Sequence, residues 1–160
     1  MKKLLLVLLA VFLLAGCGKE DIIIEEPEPE PDVIKTISCY TTEDFLRLDM
    51  DVVLNETRKE INDVSILFDY DMYALLKDTS KISLYDYDAL CTQLDQSFEY
   101  ASNCQYKLEG THAYVTLDVD IEEFTYKYFT NSSGKVIELT EENVKKYIIG
   151  SSTDTYCSVK

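Results

Sequence analysis

Two neighbouring stretches of period-two patterning constrain this chain more than any other feature. Between residues 45 and 55, Leu46, Leu48, Met50, Val52 and Leu54 alternate with Arg47, Asp49 and Asp51. Between residues 59 and 71, Val64, Ile66, Phe68 and Tyr70 again take every second position. Successive side chains of a strand point to opposite faces, so each run predicts a strand with one apolar and one wet face. Only the polar turn Asn55-Glu56-Thr57-Arg58 lies between them. So short a connection predicts antiparallel pairing in a sheet that is wet on one side.

The remaining elements are read around that pair. Residues 36–42 predict an earlier strand, with Ile37, Cys39 and Thr41 on one face. Residues 72–77 could form a short helical turn. Ser83, with Asp86 three residues on, reads as a capping pair opening a helix to residue 101. Its residues Tyr87, Leu90, Cys91, Leu94, Phe98 and Ala101 form an apolar stripe about 100° wide. Residues 103–109 predict a strand with Cys104, Tyr106 and Leu108 on one face, and Gly110 suits the tight turn after it. Residues 111–122 predict a strong strand through Ala113, Val115, Leu117, Val119 and Ile121. Residues 124–129 are aromatic and fit either strand or helix. Asn131-Ser132-Ser133-Gly134 is a turn, Thr140 caps a helix to Ile149 with Gly150 as its stop, and residues 153–159 suit a last short strand. This order predicts the α+β class: an antiparallel meander sheet, with one central amphipathic helix and a short C-terminal helix packed on one face.

Ahead of this domain the chain changes character. Lys2 and Lys3 precede an apolar run at residues 4–14, followed by Leu14-Ala15-Gly16-Cys17. The run is far shorter than the roughly 20 residues of a membrane-spanning helix. Charge, apolar run, small residues and cysteine in this order predict a bacterial lipoprotein signal at residues 1–16, with Cys17 as the lipidated residue. Each acyl CH₂ buried in the membrane would contribute about 0.8 kcal/mol. Residues 17–35 then read as a linker. Its Glu25-Glu26-Pro27-Glu28-Pro29-Glu30-Pro31 stretch combines extended proline backbone with mutually repelling carboxylates. Residues 36–160 are expected to form one domain.

Charge and cysteines bound the function. The chain carries 30 Asp and Glu against 15 Lys and Arg, a formal charge of −15, and removal of Lys2 and Lys3 makes it more acidic still. Such a surface repels nucleic acid and anionic lipid, and suits a cationic partner, a metal ion or simple solubility. Beyond Cys17 there remain Cys39, Cys91, Cys104 and Cys157, an even number in an exported domain. The count suggests two disulfides, with three possible connectivities, against the alternative of free buried thiols. Cys91–Cys104 with Cys39–Cys157 is favoured, because a helix folding back on the strand after it brings Cys91 to Cys104. No Cys-x-x-Cys or close ligand pair points to redox catalysis or zinc.

Candidate chemistry is sparse. His112, the only histidine, is read as a surface residue on a wet strand face. Asp49, Asp51, Asp63, Asp69, Asp118 and Asp120 could share one sheet face. Carboxylates gathered there could bind Ca²⁺, but a solvated face has the same pattern, and no metal site is assigned. Tyr70-Asp71-Met72-Tyr73 and Tyr85-Asp86-Tyr87-Asp88 are candidates for protein recognition. Asn55-Glu56-Thr57 and Asn131-Ser132-Ser133 match the glycosylation sequon, read here as coincidence.

The lipobox, the linker, the strand Lys35-Thr36-Ile37-Ser38-Cys39-Tyr40, the alternating strands, the central helix and the closing Tyr156-Cys157 resemble a broad set of small bacterial surface lipoproteins of the YehR-like kind. The resemblance implies one α+β domain at the cell surface, with Cys39 and Cys157 matching the early and terminal cysteines of such chains. It brings no catalytic residues. The expectation is a lipid-anchored, extracytoplasmic and non-enzymatic binding or envelope-associated module without cofactor, nucleic acid or small-molecule substrate. The alternative is an inhibitor of a cationic envelope-directed enzyme such as lysozyme.

Overall fold

The structure, a computed structural model, describes residues 30–149 and 154–160. The expected signal segment, Cys17, most of the linker and the Gly150 helix stop lie outside these residues. Six antiparallel strands form one sheet: β1 (Ile34–Glu43), β2 (Leu46–Asn55), β3 (Glu60–Asp71), β4 (Ala101–Glu109), β5 (His112–Val119) and β6 (Thr155–Val159). Their spatial order is β4-β5-β3-β2-β1-β6. The first three strands are the expected meander. The β4–β5 hairpin extends it at one side, with β5 innermost, and β6 adds to β1 at the other.

The apolar alternation faces inward as read from the sequence. Ile37, Val52, Leu54, Ile66, Phe68, Ala113 and Val115 are buried in one continuous core. The core is covered from one side by α1 (Met72–Leu76), a 3₁₀ segment (Thr79–Leu84), α2 (Tyr87–Ser97), α3 (Ile121–Phe129) and α4 (Glu141–Ile149). This is the α+β arrangement expected, with more helix over the sheet. Among the described residues no helix is long and apolar enough to cross a membrane.

Aspartate starts most of these segments. The side chains of Asp71, Asp78, Asp86 and Asp120 accept the backbone N–H groups of Ala74, Ser80, Ala89 and Glu123 at 2.9–3.0 Å. A side-chain oxygen in this position satisfies an N–H that has no partner within the helix. Two sequence expectations are corrected by these caps. The central helix does not run over residues 83–101. Ser83 lies in the 3₁₀ segment, Asp86 starts the helix, and Phe98 ends it while Ala101 already belongs to β4. The strand expected over residues 111–122 stops at Val119, because Asp120 caps α3 and Ile121 is the first residue of that helix.

The aromatic stretch at residues 124–129 is therefore helical, and Phe124 and Phe129 are fully buried. Burial of each such ring is worth roughly 1.5–3 kcal/mol. Ring contacts run from Phe68 through Phe98, Tyr100 and Phe124 to Phe129, with centroids 5.4–5.9 Å apart. Two disulfides, Cys39–Cys157 and Cys91–Cys104, tie β1 to β6 and α2 to β4. Both asparagines of the sequon-like triplets build turns. Asn55 is buried and accepts the Arg58 N–H at 3.0 Å, and Asn131 accepts those of Ser133 and Lys135 at 3.0 and 3.1 Å.

The sheet begins at Ile34, inside the segment read as linker. Just before it, Asp32 pairs with Arg58 at 3.0 Å, and the Thr57 hydroxyl binds Pro31 O and Val33 N. The tether therefore joins the domain at the β2–β3 turn.

Candidate functional site

One face of the sheet carries no helix. Its outward positions collect Asp49 and Asp51 from β2, Asp63 and Asp69 from β3, and Asp118 from β5. Five of the six aspartates read as one row thus share a face. Asp120 does not, since it caps α3. Arg47 binds Asp49 with three N–H···O contacts of 2.7–3.1 Å, and its guanidinium lies 4.4 Å from the Tyr40 ring centroid. Tyr40 in turn stacks on Tyr156 across the β1–β6 pair at 5.5 Å. Asp51, Asp63 and Asp118 have no cation within ion-pairing distance among the described residues. Nor do any three His, Cys, Asp or Glu side chains among them converge as metal ligands would.

His112 also lies on this face, half-exposed, and is more engaged than the sequence suggested. Its Nδ1 is 2.6 Å from Asp69 Oδ1, and its ring lies parallel to Tyr114. The hydrogen bond to Asp69 raises the imidazole pKa above its ordinary value. In covalent hydrolysis a dyad of this kind activates a side-chain nucleophile on the other ring nitrogen. No described hydroxyl or thiol hydrogen-bonds there. The pair escaped the sequence reading because β3 and β5 are far apart in the chain yet adjacent in the sheet. Asp71 stands opposite His112 in register, and Asp69 lies diagonally from it.

The tyrosine–aspartate clusters resolve into structure. Tyr70 and Tyr87 are buried, and the Tyr87 hydroxyl donates to Ile82 O at 2.9 Å. Asp71 and Asp86 are helix caps. Only Tyr73 remains broadly exposed among these tyrosines.

The second surface is a groove of about 1000 Å³ beside the β2–β3 turn. Lys59, in the left-handed conformation at φ 57°, turns the chain so that Glu60 and Ile61 reach it. The first turns of α3 supply Ile121, Glu122, Glu123 and Tyr126, and the stretch before α4 supplies Val136 and Leu139. Ile61 and Leu139 form a dry floor, while Tyr126 is 65% and Val136 44% exposed. The rim is acidic, with Glu60, Glu99, Glu122 and Glu123 against Lys59 and Lys127. Both lysines are engaged, Lys127 with Glu99 at 3.1 Å and Lys59 with Glu138 at 3.7 Å. The sequence reading passed over this groove, since its walls come from three separate segments.

Compared with known protein families, curated proteins and solved structures, the chain matches none.

Proposed function

We propose that this protein is a lipid-anchored, non-enzymatic module on the extracytoplasmic face of a bacterial membrane, and that it docks a cationic protein partner on its open sheet face. The observation that carries this reading is the uncovered face itself. It presents Asp51, Asp63 and Asp118 without ion partners, and toward its β1–β6 edge the Tyr40–Tyr156 stack. Carboxylates steer a cationic surface, and tyrosines provide rigid contact area with a polar tip. The lipobox at Cys17 supports the anchor, and two disulfides accord with an oxidising compartment.

The test uses the soluble chain from Gly18 to Lys160 with lysozyme as the cationic probe. Binding is expected to weaken steeply with salt, and to fall about tenfold when Asp51 and Asp63 are both changed to Asn. Absence of salt-dependent binding would remove the reading. A second reading is favoured by the same face: an acidic surface placed over the cationic cleft rim of a wall-directed enzyme would inhibit it. Inhibition of lysozyme-catalysed wall lysis by the bound protein separates inhibitor from plain binder. The anchor is tested by palmitate labelling, which should be lost in Cys17→Ser with release of the protein from membranes.

A further inference from the structure

We infer that the groove between α3 and the β2–β3 turn is a second binding site, which takes an extended cationic segment of a partner protein and seats one apolar side chain of it on the Ile61–Leu139 floor beside Tyr126. The site is distinct from the open sheet face and does not depend on it.

The groove selects its occupant by shape and by charge. It is a wide trough open to solvent, whereas a small ligand needs a concavity that buries most of its surface. An extended chain fits such a trough, laying backbone along it and one or two side chains into it. The floor residues Ile61 and Leu139 are already dry, and Tyr126 and Val136 stand above them with large apolar surface unpacked. An inserted aliphatic side chain removes that surface from water on both partners. The rim then sets the sign of the charge. Among the described residues no cation comes within ion-pairing distance of Glu122 or Glu123, and Glu60 has only Arg58, at 3.9 Å. Lys127 is held by Glu99 on the rim itself and Lys59 by Glu138 beside it, so the trough edge carries a net negative charge, with Glu122 and Glu123 its unpaired carboxylates among the described residues. Lysines or arginines flanking the apolar anchor complement it.

Two other occupants fail on the same charge argument. A second copy of this chain brings an identical acidic rim to a two-fold contact, placing like charges opposite each other. The chain's own segment Ile22-Ile23-Ile24 is apolar and lies a few residues before Asp32, which binds beside the groove. It is flanked by Glu20, Asp21, Glu25 and Glu26, which the rim repels.

The experiment is fluorescence anisotropy with the chain from Gly18 to Lys160 and a short lysine-rich peptide carrying one central leucine. The expected result is saturable binding that weakens about tenfold when the leucine is replaced by serine, and about tenfold in Tyr126→Ser but little in Tyr126→Phe. Glu122→Gln with Glu123→Gln should weaken binding about fivefold at low ionic strength and hardly at all at high. Asp51→Asn with Asp63→Asn, an equal loss of charge on the open face, should change it less than about twofold. All these side chains are at the surface, and unchanged far-UV circular dichroism shows that the variants fold. Equal losses from the groove and open-face pairs, or indifference to the leucine, would mean diffuse electrostatic attraction and overturn the site. Stronger binding by a chain beginning at Glu30 would identify the tether as the occupant, and a dimer dispersed by Tyr126→Ser would identify a second copy. Either result overturns the inference. Lysozyme binding without peptide binding would refute the groove and leave the open-face reading intact, and the converse would do the reverse.

Discussion

The two disulfides allow a quantitative test of what holds this small domain together. Cys39–Cys157 spans 118 residues of sequence and Cys91–Cys104 spans 13. If a bridge acts chiefly by restricting the unfolded chain, the long loop is worth about 5 kcal/mol and the short one about 3. The difference, about 2 kcal/mol, depends only on the ratio of loop lengths. Set against a typical domain stability of about 5–15 kcal/mol, the long bridge is a major term. Structure adds a local expectation. β6 is five residues long, pairs only with β1, and has Cys157 at its centre opposite Cys39. The perturbation is Cys39→Ala with Cys157→Ala, compared with Cys91→Ala with Cys104→Ala, so that no thiol of a broken bridge remains to re-pair. Urea unfolding followed by circular dichroism should show the larger loss for the first pair. It should also show a steeper transition, because the released unfolded chain exposes more surface. Amide exchange over β6 should accelerate in the first variant alone. If the short-loop variant loses as much stability as the long-loop one, and neither transition steepens, the bridges act through native contacts and the chain-entropy reasoning is wrong.

Other consequences can be measured on the same protein. Asn55→Ala removes a buried side chain whose oxygen accepts the N–H of the exposed Arg58, and should cost about 0.5–1.5 kcal/mol in urea unfolding. Hydrogen bonds from Lys145 and Lys35 hold the Glu141 carboxyl down to about 2. Because this folded value lies below the unfolded one, the contribution is present above about pH 4.5 and is lost as pH falls toward about 2. Glu141→Gln should therefore flatten the acid limb of a thermal-midpoint profile. The sign is opposite for His112, whose pKa is raised by Asp69. Its contribution is complete below about pH 6.5 and is lost as pH rises through the folded value, so His112→Gln should reduce the decline in thermal midpoint above about pH 6.5.

The sheet was legible wherever the sequence itself decided the structure. Leu46 to Leu54 and Val64 to Tyr70 have their period, their turn and their partner all within one hairpin, and the observed register follows. The segment from Ala113 to Ile121 shows where such local reading ends. Its alternation continues to Ile121, so a strand to residue 122 is the natural reading. The ladder has no partner for it there. β5 pairs with β4 only as far as Val119 opposite Ala101, and with β3 only as far as Leu117 opposite Ile66. The Asp120 N–H still reaches across to Tyr100 O at 2.8 Å, but beyond it the backbone groups are satisfied within a helix, which the Asp120 side chain caps. Sheet width is a non-local quantity, and neither periodicity nor propensity encodes it.

The same limit applies to charge. A formal charge of −15 invites a binding interpretation of every acidic residue, yet much of it is structural. Asp71, Asp78, Asp86 and Asp120 cap helical segments, while Asp49, Asp69 and Glu141 have partners of their own. Capping carboxylates already interact with the positive end of a helix, so their field at a distance is reduced. Among the other carboxylates, two groups stand on different surfaces: Asp51, Asp63 and Asp118 on the open sheet, where Asp118 accepts the Asn103 amide at 3.1 Å, and Glu60, Glu122 and Glu123 at the groove rim. The first group is spread over three strands, beside Ser65 and Thr116, and suits a broad folded surface. The second borders exposed aliphatic and aromatic surface and suits an anchored side chain. Lost affinity on neutralising the first group should therefore appear mainly in the association rate, and on neutralising the second with Tyr126 truncated, mainly in the dissociation rate.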